Sequence, residues 1–285
     1  MTNISETSTM IIKIQALIKN MSKAESLVCE YITKHPKDVI HMSVSGLAKA
    51  CSVSAATVIR ASQKLGYESY QDLKIALAQD VVTPLEAINE AITPKDSQAE
   101  IIEKVFQSNM NALQATYNTL NSADLTLASE KILKARHIGI CGLGNSHTIA
   151  MDLQHKLMRL GLNATNYHDN HMQIIGATYA SDKDVFFCIS HSGSSKDIVH
   201  AAEIAKKRGA YVISLSSVGN SPLTNIADLS LFTASNETQY RTMALSSRVA
   251  QMAIVDTIYT FIALKKPKAA EGFFKMEANL SSTKF

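Results

Sequence analysis

The chain has 285 residues, 46% of them hydrophobic and 19% charged, with a formal net charge of +3. That length fits one or two domains, and the apolar share excludes a disordered or fibrous chain. So small a positive surplus neither requires nor excludes a nucleic-acid partner. Four cysteines, Cys29, Cys51, Cys141 and Cys188, are widely separated and form no C-x-x-C pair. Buried, reduced thiols are therefore expected, not a zinc site or a redox dithiol, and nothing asks for a metal or a cofactor. The N-terminal MTNISETSTM lacks a basic leader ahead of an apolar core, and no run approaches the ~20 apolar residues that cross a bilayer, which predicts a cytoplasmic protein without a membrane partner.

From Ser22 to about Gln79 the apolar spacing is helical. Leu27, Val28, Tyr31 and Ile32 make a stripe behind Ser22, an N-cap with Glu25 three residues on in the spacing of a capping box, and Pro36 ends that helix. A second helix follows in VSGLAKAC, with Leu47, Ala48 and Cys51 on one face; SVS then supplies a turn, and SAATVIRASQKLG a third helix, stopped by Gly66. A short helix, a turn and a second helix form a helix-turn-helix, whose second helix enters the major groove through its N-terminal residues. Here that helix runs from about Ser54 to Leu65, with Ala56, Val58, Ile59 and Leu65 as its apolar residues, some of which face the core. Ser54, Thr57, Arg60 and Lys64 recur at spacings of three and four, giving a polar face that can address DNA with hydroxyls first and cations farther along. Arg60 is the leading candidate for contact; a plain helical bundle with a solvated polar face fits the same segment.

The two prolines of VVTPLEAINEAITPKDS mark a connector holding about one helical turn. The expected division is a DNA-binding domain over 1–80, a linker over 81–100 and a second domain over 101–285. A long helix begins near Ser97, and its stripe of Ile101, Ile102, Val105, Phe106, Leu113, Tyr117 and Leu120 is wide enough to pack on another domain or on a second subunit.

After about Asp124, β-rich runs alternate with helical patterns, the grammar of a doubly wound α/β domain. Five parallel strands are predicted over 137–142, 163–168, 184–190, 211–217 and 228–233. Helices fall at about 146–160, 170–180, 194–208 and 222–227, and a last one covers about 243–264.

Ligands of such sheets bind outside the carboxyl ends of the strands, and two of the turns there are chemically distinctive. In CGLGNSHTIA, Gly142 and Gly144 allow a tight turn before Asn145 and Ser146 open a helix; in SHSGSSKDIV, small hydroxyl residues cluster ahead of another. Helix N-termini favour negative charge, so the pair describes a phosphate cup. A dinucleotide site competes, because G-L-G resembles the start of G-x-G-x-x-G and Asp169 lies near the end of the next strand. Against it, His147 fills the third glycine position, and a dinucleotide does not explain a second hydroxyl-rich loop with Ser190, Ser192, Ser194 and Ser195.

The loops G-L-G-N-S and S-H-S-G-S-S resemble the paired motifs of the sugar isomerase (SIS) domain. The segment SAATVIRASQKLGYESYQDLKIALA resembles the helix-turn-helix of the RpiR/MurR family of transcription regulators, to which NETQYRTMALSSRVAQMAIVDTIY is also similar. The likeness spans roughly residues 20 to 265 and implies an α plus α/β fold, an all-helical helix-turn-helix domain followed by a SIS domain. It implies that Ser146, Ser190, Ser192 and Ser195 hold the phosphate of a phosphosugar, with Gly193 allowing close backbone approach. His191 and Glu237 would face the sugar, while Arg241 and Arg248 match polar family positions that serve ligand, fold or dimer; His171, in HDNHMQ after another strand, fits either a contact in the same pocket or a surface or structural histidine. The expected partners are double-stranded operator DNA, a phosphorylated sugar effector such as an N-acetylamino-sugar phosphate, and further copies of the chain in a homodimer or homotetramer. The expected function is regulation, and repression in particular, of a sugar-catabolic operon without catalysis. The alternative is a phosphosugar isomerase, which needs a general base such as Glu237, His171 or His191.

Overall fold

The computed structural model describes residues 9–40, 42–81, 92–93, 95–235 and 245–266, with isolated positions beyond. The chain divides into two compact units at Lys104/Val105, against an expected domain start at 101. The proposed turn inside 81–97 falls mostly outside the described residues.

The first unit is helical: α1 (Thr9–Leu17), a 3-10 turn (Ile18–Asn20), α2 (Lys23–Lys34), α3 (Pro36–Val39), α4 (Val44–Ala50), α5 (Ala55–Lys64) and α6 (Tyr70–Val81). The first of these, α1, was not anticipated from the sequence. The capping box at α2 forms as expected: Ser22 N–H donates to Glu25 Oε2 at 2.8 Å, and Ser22 Oγ accepts from Glu25 N–H at 3.4 Å. Pro36 both ends α2 and opens α3, where its missing N–H costs nothing. Ile14, Val28, Ile32, Leu47, Val58, Leu65 and Leu73 form the core beneath α4 and α5.

The turn between α4 and α5 closes with Ser52 in a left-handed conformation, φ +56°, a place where glycine is the usual occupant. Ser52 N–H donates to Lys49 O and Val53 N–H to Ala48 O, so the last carbonyls of α4 are satisfied before α5 begins. At the far end of α5, Gly66 sits at φ +84°, with Gly66 N–H on Gln63 O and Tyr67 N–H on Ser62 O, the same closure made with the expected glycine.

The second unit contains most of α7 (Gln98–Thr119), then α8 (Ser122–Lys134), β1 (His137–Gly142), α9 (Asn145–Arg159), β2 (Ala164–Tyr167) and α10 (Asn170–Thr178). It continues through β3 (Asp184–Ile189), α11 (Lys196–Lys207), β4 (Tyr211–Ser217), α12 (Pro222–Ile226), β5 (Leu229–Thr233) and α13 (Leu245–Lys265). All five predicted strands are present, within a residue or two of their expected ends. The helix missed by the sequence reading is α8, which buries Leu125, Ala128, Ser129 and Ile132 along one face.

The sheet is parallel throughout, in the order β2-β1-β3-β4-β5. Every residue of the DVFFCI run of β3 is buried, as a central strand covered on both faces requires. One face packs Ile149, Leu153 and Leu157 of α9 with Ile132 of α8 and Ile254, Ile258 and Ile262 of α13. The other packs Ile198, Ala201, Ala202 and Ala205 of α11 with Ala177 of α10 and Leu223 of α12. The four cysteines are free and buried, and burial pushes the Cys141 thiol well up. Among the described residues no helix is long and apolar enough to cross a membrane.

Candidate functional site

The strand order dictates where a ligand can sit. From β1 the chain moves outward to β2, then crosses back to β3 on the other side of β1, so the helices leaving β1 and β3 cover opposite faces. The crevice between them lies at the carboxyl ends of these two strands. Gly142 and Ile189 are register partners there, which sets the two serine-bearing loops side by side.

In the first loop, a Cβ on Gly142 would lie 2.6 Å from the backbone oxygen of Ser146, so strand end and helix start are in backbone contact that any side chain would break. Gly144 is the N-cap of α9 and supplies no side-chain cap. Ser146, in the first turn, is 9% exposed.

In the second loop, Ser190 is buried and its Oγ lies 3.2 Å from Ser195 Oγ. Gly193 takes φ +61°; its N–H donates to Ser190 O and its carbonyl accepts from Leu223 N–H, both at 3.0 Å. A Cβ there would meet Ser221 Oγ at 2.1 Å. The half-buried His191 accepts through its carbonyl from Ser217 N–H at 2.9 Å, and the exposed Ser192 accepts at Oγ from Ser194 N–H at 3.2 Å. The loop is thus braced on the turn that follows β4, through Ser217, Ser221 and Leu223. The sequence reading did not include these residues because their part in the site arises only when β3 and β4 pair.

The helix starts carry the electrostatic argument. Ser22, Ser43, Ser54, Asn121, Asp169 and Ser221 each cap a helix through the side chain. Ser195 holds the same position on α11, yet its hydroxyl turns to Ser190 and makes no cap bond. Both helices that open at the crevice, α9 and α11, therefore start without a side-chain cap, and their first-turn donors and dipoles favour an anion. Among the described residues none of the four cup serines is hydrogen-bonded to a histidine or a carboxylate that could activate it as a nucleophile.

The remaining expected ligand residues are less tightly placed. His171 is exposed in the first turn of α10, behind edge strand β2. Glu237 and Arg241 lie outside the described residues, and Arg248 is half-buried on α13. Gln173, which the sequence reading passed over, is fully buried, and its Nε2 donates to Tyr167 O at 3.0 Å. A separate cavity of about 220 Å³ lined by Arg136, His137, Tyr167 and Tyr179 holds none of the cup residues.

In the first unit, the four polar residues expected on one face of α5 divide by role. Ser54 caps the helix, accepting from Thr57 N–H at 3.2 Å, and its Oγ lies 2.9 Å from Thr57 Oγ1. Thr57 is 5% exposed and accepts from Arg60 Nη2 at 3.2 Å. Lys64 Nζ is 2.7 Å from Oε2 of the buried Glu25, and this bond, with the Ser22 N–H, holds the Glu25 carboxyl down to about 2. Arg60 is exposed on the same helix as Ala55, Ala56, Ile59 and Gln63, which are also open to solvent.

Comparison with known proteins agrees with both halves. The model of the rpiR-family helix-turn-helix domain matches residues 8–84, and that of the SIS domain matches 131–261. The chain is 36% identical over 255 residues to an HTH-type transcriptional regulator of Caldanaerobacter subterraneus subsp. tengcongensis, covering 88% of this chain and 90% of the relative. It is 31% identical over 254 residues to the HTH-type transcriptional regulator HexR of Pseudomonas aeruginosa, covering 89% of each. Among solved structures, NanR of Vibrio vulnificus complexed with ManNAc-6P superposes with a TM-score of 0.77 at 27% identity, over 96% of this chain and 99% of that one. The sugar isomerase domain of an RpiR transcription factor from Sphaerobacter thermophilus shares the fold, with a TM-score of 0.58 over 63% of this chain and 99% of that one, at 24% identity. With a helix-turn-helix in front of an α/β unit that carries two serine loops at its switch point, the chain belongs to the RpiR family of helix-turn-helix transcriptional regulators with a SIS domain.

Proposed function

We propose that this regulator binds operator DNA through α5 and releases it when a phosphosugar, of the N-acetylamino-sugar 6-phosphate class, enters the cup between β1 and β3. The observation that carries the reading is the pair of helix starts without side-chain caps, α9 and α11, set beside Ser146, Ser190, Ser192 and Ser195. The likeness to a NanR complexed with ManNAc-6P supports the sugar class. Release requires the sugar to favour one state of the protein over the other, and a coupling of ~1–3 kcal/mol between the two sites suffices for a 5- to 150-fold change in DNA affinity.

The isomerase alternative needs a base beside the sugar, for which Glu237, His171 and His191 are the candidates, while the likeness to relatives named as transcriptional regulators favours regulation. Regulation without catalysis is accordingly the reading adopted. Gel-shift titrations with DNA from upstream of the protein's own gene test it, with N-acetylmannosamine 6-phosphate, N-acetylglucosamine 6-phosphate, glucose 6-phosphate and inorganic phosphate as ligands. One of the sugar phosphates should release the DNA, and Ser190→Ala with Ser192→Ala should abolish release while leaving sugar-free binding intact. Turnover of any of these sugars without a DNA shift would overturn the proposal.

A further inference from the structure

The face of α5 that the first unit leaves open is largely apolar, where a solvated helix would carry charge. Thr57, Val58, Ala61 and Ser62 are its buried residues. Ala55, Ala56, Ile59, Arg60, Gln63 and Lys64 are exposed, and the first three of these are apolar. Ile59, 40% exposed, is the one large apolar side chain among them. The polar side chains around it are mostly engaged within the unit. Ser54 caps the helix, Arg60 donates to Thr57, and Lys64 is bound to Glu25.

Ala56, Ile59 and Gln63 are spaced by three and four residues and so form one row along the open face. At about 1.5 Å of rise per residue the row covers about 10 Å, close to three base-pair steps of about 3.4 Å. Ala55 and Ala56 add only methyl groups to the helix start, so nothing bulky holds its first turn away from a groove floor. Ile59 is the first long apolar side chain after them. The apolar group that the bases present in the major groove is the methyl of thymine; the rest of their edges there are hydrogen-bond donors and acceptors. A cytosine in the same place would lose water from its amino group against a side chain that accepts nothing.

We infer that Ile59, with Ala56 beside it, reads a thymine methyl group, so that the operator carries an A·T pair beneath the middle of α5. The inference rests on the proposal that α5 enters the major groove, and it names what is read there: an apolar group, with no hydrogen bond at that position. Arg60, on the flank of the row, contributes affinity through phosphate without discriminating between bases.

Gel shifts of the full chain without sugar test this on two duplexes of the same upstream sequence, one carrying deoxyuridine in place of every thymidine. Uracil keeps the pairing and the groove donors and acceptors of thymine and lacks only the methyl group. The wild-type chain should bind the uracil duplex about fourfold more weakly for one methyl contact, and about fifteenfold if the contact recurs in a second half-site. Ile59→Ala should bind the thymine duplex more weakly by a similar factor, and its two affinities should agree to within about twofold. Ile59→Val keeps a branched apolar side chain and should retain the uracil penalty. Ile59 is exposed and alanine is the better helix former, so both variants should melt close to the wild-type temperature. Equal wild-type affinity for the two duplexes, or an Ile59→Ala chain with an undiminished uracil penalty, would overturn the inference while leaving DNA binding by α5 in place. A wild-type chain that shifts neither duplex would overturn the proposed function and this inference with it.

Discussion

Replacing Lys64 by Met separates the structural from the DNA-contacting reading of that residue. Glu25 is 4% exposed and depends on two donors, the Lys64 ammonium at 2.7 Å and the Ser22 N–H at 2.8 Å. Its carboxyl is held down from 4.5 to about 2, with the bond to Lys64 the larger cause. That difference converts to about 3 kcal/mol if all of it is counted. The Ser22 bond survives the substitution, and the Lys64 side chain is 49% exposed, so solvent screens its share. Lys64→Met should therefore cost about 1–2 kcal/mol at pH 7, seen as a lower urea midpoint with an unchanged slope. Because the folded value lies below the ordinary one, the pair's contribution is full above about pH 4.5 and is lost as pH falls toward about 2, where wild type and variant converge. A double-mutant cycle with Glu25→Gln isolates the pair. A coupling below about 0.3 kcal/mol would refute the reasoning, and if the DNA salt slope fell instead, Lys64 would be a phosphate contact.

Two further outcomes follow from the two sites. Arg60→Ala should weaken operator binding and reduce the slope of log affinity against log salt by about 1, without altering sugar binding; an unchanged slope would remove Arg60 from the phosphate contacts. Gly193→Ala should cost about 1–2 kcal/mol for a side chain in the left-handed region and displace Ser221, whose Oγ lies 2.1 Å from the new methyl position. Sugar-phosphate release of DNA should be lost in that variant while sugar-free DNA binding persists, and a wild-type titration curve would show that the loop does not form the cup.

Sequence periodicity and turn chemistry were enough for most of the architecture. Ser22 with Glu25, and Gly66 at φ +84°, are local signals that the structure uses as read. The strands were legible because parallel strands buried on both faces are short apolar runs, DVFFCI the plainest of them. The helix α8 escaped notice because its stripe of Leu125, Ala128, Ser129 and Ile132 includes only two large apolar residues, and burial, not hydrophobicity, defines that face.

The chain's own text thus determined the α plus α/β organisation, the helix-turn-helix and the two hydroxyl-rich loops, because each depends on residues close in sequence. The tertiary structure decided what those residues are free to do. Thr57 and Lys64 look equivalent to Ser54 and Arg60 on a helical wheel, yet one is buried under the helix start and the other is bound to a carboxylate 39 positions earlier. The pairing of β1 with β3 sets the serine loops side by side, and the hydroxyl of Ser195 is turned from capping its helix toward Ser190. Long-range register and burial are set by the whole chain at once, which is why local spacing can name the candidates but only the folded packing assigns their partners.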